Sequence, residues 1–82
     1  MRLEIGRVVR CTAGKEQDGF YIVTGLENGF VLLSDGKHRP LGKPKRKNVR
    51  HIRLTDTVWE VEGLTDRALR QRLCAYADKG GN

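Results

Sequence analysis

Nowhere in this chain does an apolar run approach the roughly 20 residues that a membrane-spanning helix needs. Arg2, Glu4, Arg7 and Arg10 interrupt the N-terminal stretch where a secretory signal would be continuously apolar. The expectation is a cytoplasmic protein with no membrane partner. Cysteine is equally sparse. Cys11 and Cys74 stand alone, with no CxxC and no His or Cys at the spacing of a zinc site, which predicts two reduced, at least partly buried thiols and no metal. Ser34 is the only serine, and the carboxylates are scattered singly. His38 and His51 are surrounded by cations rather than by a carboxylate that could orient them. No triad or carboxylate dyad is suggested. Five residues lie between Gly36 and the Gly42-Lys43 pair where a phosphate-binding P-loop has four, and Pro44 stands where that loop needs Ser or Thr. Composition therefore predicts no enzyme, no catalytic residues, no cofactor and no small-molecule substrate.

Aromatic residues are only 6% of the chain, and 82 residues allow one small domain that buries about 60% of its unfolded surface. Such a chain packs most economically as a short-stranded sheet. IGRVVRC (5–11) has the β-branched content of a strand, and TAGKEQDG (12–19) is a polar loop. FYIVTGL (20–26) is the clearest strand. Asn28-Gly29 then supplies a hairpin turn into FVLLS (30–34). Asp35-Gly36 repeats the device, predicting a strand from Lys37 to Leu41 that Gly42 and Pro44 end. VRHIRL (49–54) completes a set of five, with the lysine-rich segment before it as a loop. Short strands joined by short connections predict a mainly β fold, a small, strongly bent antiparallel barrel over residues 1–58. A linker and helix follow over 59–82. Thr65-Asp66 reads as the helix start, Leu69, Leu73 and Tyr76 as its buried stripe, and Gly80-Gly81 as its stop. Trp59 and Val61 are expected to dock the linker on the sheet. Arg67, Arg70 and Arg72 are read as the solubilising face of that helix, with extension of a binding surface as the alternative.

What the chain has in abundance is positive charge. Its formal net charge is +6, and from Lys37 through Thr55 there is no Asp or Glu. In that interval Lys37, Arg39, Lys43, Lys45, Arg46, Lys47, Arg50 and Arg53 supply half of all Lys and Arg. A solvated charge run or a nuclear address are the plainer readings. Leu41, Val49, Ile52 and Leu54 are interleaved with the cations, however, and anchor them in the fold. Clustered like charges repel unless an anion neutralises them, so the predicted partner is a polyanion whose phosphates the cations contact. Asn48 and His51 add hydrogen-bonding capacity towards bases, phosphates or riboses, and His51 can stack.

Two blocks of the chain resemble the KOW-domain family. IGRVVRCTAGKEQDGFYIVTGL is similar to the KOW element through Gly6, Val8, Val9, the loop Ala13-Gly14-Lys15, and Ile22-Val23. VLLSDGKHRPLGKPKRKNVRHIRLTD matches the branch that contains the fourteenth large-subunit ribosomal protein of archaea and eukaryotes and its bacterial relatives. The matching residues are Asp35-Gly36, Lys43 to Asn48 and His51-Ile52. Asp18 stands where the family usually has a second glycine, with Gly19 next. The resemblance implies an SH3-like barrel that binds structured RNA, ribosomal RNA of the large subunit above all, and leaves room for ribosomal proteins as partners. It implies that Gly14 and Lys15 lie in an RNA-facing loop and that Lys43 to Asn48, with His51, hold the RNA backbone. The alternative is a protein-interaction module of the translation or transcription machinery, and a weaker third reading is non-specific DNA binding.

Overall fold

Successive side chains of a strand point to opposite sides, and in β1 (Arg7–Cys11) both sides are buried. Val9 and Cys11 face one way and pack with Tyr21 and Val23 of β2 (Phe20–Glu27) and Val31 and Leu33 of β3 (Phe30–Ser34). Val8 faces the other way and packs with Ile22, Leu69 and Leu73. A computed structural model describes residues 1–14 and 19–79, so Lys15, Asp18, Gly80 and Gly81 lie outside the described residues. The elements continue with β4 (Lys45–Asn48), a 3₁₀ turn (Val49–His51), β5 (Ile52–Val58) and α1 (Asp66–Asp78).

The five strands form one antiparallel sheet in the order β4-β3-β2-β1-β5. This overturns the predicted barrel, SH3-like or otherwise: the sheet is open, with β4 and β5 as its two edges. Closure needs a continuous ladder between the first and last strands. Here the turn runs straight from β4 into β5, and its first N–H, Val49 N, donates to Gly29 O at the β2–β3 turn, 3.1 Å away. Val49, Ile52 and Leu54 still reach the Val9 side of the sheet and cover that core from the β5 end.

The strand expected from Lys37 to Leu41 is absent, and the segment is a turn. Asp35 Oδ1 accepts hydrogen bonds from Lys37 N (2.9 Å) and Arg39 N (2.8 Å), so amides that a ladder would use are taken by a side chain. Backbone Asp35 N and Gly36 N both donate to Arg39 O, and Ser34 Oγ donates to Pro40 O. The place of that strand is filled by Lys45–Asn48, expected as a loop, which pairs with β3 from Leu33↔Lys45 to Phe30↔Asn48. The final strand likewise begins at Ile52 rather than Val49 and continues to Val58.

The helix starts as its sequence indicates. Thr65 Oγ1 accepts from Ala68 N (3.1 Å), and Asp66 lies in the first turn, where the helix dipole favours an anion. Leu69 and Leu73 are buried against the sheet. Tyr76 meets Phe20 and Trp59 edge-on, at centroid distances of 5.3 and 5.8 Å. Trp59, Val61 and Leu64 pack into this helix-side core. Cys11 is buried as expected, but Cys74 is exposed, one position beyond the buried stripe. A second set of contacts locks the helix to the β3–β4 connection: Leu41 N donates to Asp66 Oδ1 (2.7 Å), and Gly36 lies directly against the backbone of Asp66 and Arg70.

Gly29 and Gly36 share a left-handed backbone, φ +81° and +79°, but only at Gly36 would a Cβ collide with Asp66 O. Gly29→Ala is expected to cost about 1 kcal/mol from backbone strain alone. Gly36→Ala should cost at least about 2 kcal/mol, with a melting temperature lower by roughly 8 °C or more. Thermal unfolding of both variants by circular dichroism measures the difference, and equal shifts would contradict the clasp between Gly36 and the helix.

Candidate nucleic-acid interface

Pairing along β4 sorts the basic run into different roles. Lys45 and Lys47 are the partners of Leu33 and Val31, whose side chains belong to the Val9-side core, so both lysines lean towards that side. Lys47 is only 9% exposed. Inward-leaning lysine on a short edge strand also discourages edge-to-edge pairing. Arg46 points to the opposite side. Its Nε donates to Glu27 Oε1 at 2.8 Å, and its guanidinium stacks 3.7 Å from the Phe30 ring centroid. The carboxylate missing from the local sequence is therefore delivered by β2. Asn48 accepts from Arg50 N through Oδ1 (2.9 Å), which caps the 3₁₀ turn.

Arg50, His51 and Arg53 are exposed, as is Lys43 in the loop before β4. The fold adds two features to this group. First, Thr12 N donates to His51 O (2.9 Å), which ties the start of the β1–β2 loop to the 3₁₀ turn and brings exposed Gly14 (φ +80°) into its neighbourhood. Second, Arg10 is the cross-strand partner of Arg53, and both are exposed. Arg10 was not among the predicted site residues. Its signal was present as the one polar position between Val9 and Cys11, but nothing local says which strand lies beside it.

Lys37 and Arg39 are separated from this group. Asp35 fixes their backbone in the turn after β3, and exposed Lys37 and His38 share a groove with Arg70. Of the predicted residues, Arg50, His51 and Arg53 are adjacent along the turn and β5, and Gly14 lies two residues beyond the Thr12–His51 hydrogen bond. Lys43 and Lys45 lie at the β4 end, while Arg46, Lys47 and Asn48 are partly committed to the fold. Among the described residues, no three His, Cys, Asp or Glu side chains gather as a metal site. No protein-family model matches the chain, and no curated protein is significantly similar to it.

The Arg46 contacts are solvent-exposed, so they contribute modestly. Arg46→Ala is expected to lower stability by about 1 kcal/mol at low salt, from a surface ion pair and a cation–π contact together. Part of that difference should vanish at high salt through screening. Urea titrations of both proteins at two ionic strengths measure it.

Proposed function

We propose that this chain is an RNA-binding protein of the KOW type, acting in the cytoplasm on structured RNA, with large-subunit ribosomal RNA as the target its resemblance points to. The observation that carries the reading is the meeting of two sequence blocks. The start of the β1–β2 loop is tied to the turn of Arg50 and His51 by the Thr12–His51 hydrogen bond, and Arg10 stands next to Arg53. Four basic or hydrogen-bonding side chains from β1, the 3₁₀ turn and β5 thereby share one end of the sheet. Arginines placed this way meet phosphate oxygens and release condensed counterions. His51 adds a ring that can stack on an unpaired base. Lys43 and Lys45 extend the positive surface along the β4 end.

The test is the salt dependence of RNA binding. Substituting Lys43, Arg50 and Arg53 together by Ala removes exposed cations that hold no packing role. The slope of log affinity against log salt should flatten by about two to three units, with affinity falling for every RNA sequence tried. Unchanged affinity and slope would overturn the reading. Capture of partners from lysate with and without ribonuclease separates RNA from a direct protein partner, since protein partners that persist after digestion would favour an acidic protein surface instead. Competition by duplex DNA as strong as that by structured RNA would favour the non-specific reading.

A further inference from the structure

We propose that the groove between α1 and the Asp35 turn holds an unpaired nucleotide of the bound RNA, its base against Phe20 and its phosphate between Lys37 and Arg70. This rests on the RNA-binding reading above and adds to it a second, helix-side site.

The groove has a volume of about 410 Å³ and is lined by residues of β2, the turn and α1. That volume falls within the roughly 300–1,000 Å³ of ordinary small-ligand sites. Half-buried Phe20, whose ring is held edge-on by Tyr76, and buried Leu73 form its floor. Exposed Lys37, His38 and Arg70 form the rim. An aromatic and aliphatic floor under a cationic rim suits a planar ring that carries an anion, which is the chemistry of a nucleotide. Asp35 also borders the groove, but its Oδ1 already accepts from Lys37 N and Arg39 N.

The rim is built rather than accidental. Gly36 lies against the backbone of Asp66 and Arg70, which sets Lys37 beside the first turns of α1. Through Phe20 the groove shares a face of the sheet with Arg10 and Arg53 of the candidate interface. Arg53, Arg10 and Phe20 are consecutive Cα partners across β5, β1 and β2, a row of about 10 Å at ordinary strand spacing. A strand lying on Arg53 and Arg10 would therefore reach Phe20 next. A duplex keeps its bases stacked inside and offers none to such a floor, so the occupant is an unpaired nucleotide.

Cys74 is exposed and lines this groove and also a hollow beside Arg67 and Gln71, whereas Cys11 is buried, so thiol alkylation of the intact protein reports on the groove where the protection depends on Lys37. The probe is a short single-stranded oligoadenylate, with blunt duplex RNA and polyglutamate as comparisons. At saturation the oligoadenylate should slow alkylation of Cys74 by about tenfold, while the duplex and polyglutamate leave it fast. K37A/R70A should abolish the protection and weaken oligoadenylate binding about tenfold, with the helical circular dichroism unchanged. Oligoadenylate bound with Cys74 still fully reactive would overturn the groove site. So would structured RNA binding without oligoadenylate binding. In both cases the RNA-binding reading stands. Equal protection by polyglutamate would overturn it in favour of an acidic polypeptide, and failure of every RNA to bind would remove both proposals.

Discussion

Burial of β1 and β2 on both faces is the constraint from which the rest of this structure follows. A chain with so few aromatic residues cannot fill one deep core, and it builds two thin ones sharing a central pair of strands. Val9, Cys11, Tyr21 and Val23 serve one side, and Val8 and Ile22 the other. The register Val8↔Ile22 and Val9↔Tyr21 makes both sets coherent at once, and a slip by one residue would exchange them. The helix is thus a required layer, since Val8 and Ile22 would face water without Leu69 and Leu73. The buried guanidinium of Arg7, bonded to Arg2 O, Thr55 O and Glu4, fastens the N-terminal segment and β5 to this pair.

The same two-sidedness determines what the positive charge can do. Strand alternation turns Lys45 and Lys47 to one side and Arg46 to the other, where Glu27 and Phe30 receive it. A run of adjacent cations is thereby divided between edge protection, local packing and open surface. Arg50 and His51 of the turn and Arg53 of β5 are exposed, and it is there that Arg10 and the start of the β1–β2 loop join them. Charge density in the chain and charge available to a ligand are therefore different quantities here. The first peaks at Lys45 to Lys47, the second at Arg50 to Arg53.

Local chemistry made much of the fold legible. Asn28-Gly29 between two apolar runs could only be a tight turn, and Thr65-Asp66 before Leu69 and Leu73 could only open a helix facing the sheet. Each of these signals is complete within a few residues, and each is found as read. The misplaced strand shows where such reading ends. Lys37 to Leu41 and Lys45 to Asn48 are both short and basic, and neither has a hydrophobic alternation to distinguish it. The choice between them was made by Asp35, whose carboxylate takes the amides of Lys37 and Arg39, and by the open flank of β3, which accepts Lys45 to Asn48. The open sheet has the same origin, because whether two edge strands meet depends on the path of the turn between them.

By itself the sequence determined the mainly β character, the β2–β3 hairpin, the amphipathic helix and the concentration of cations, because periodicity, turn chemistry and charge are local properties. The tertiary structure alone decided which cations face solvent, that Arg10 stands beside Arg53, and that Lys37 is set with Arg70 across a groove at the helix. Those relations depend on strand order, on register and on the close approach of Gly36 to the helix backbone, and they join residues up to 43 positions apart, from Arg10 to Arg53.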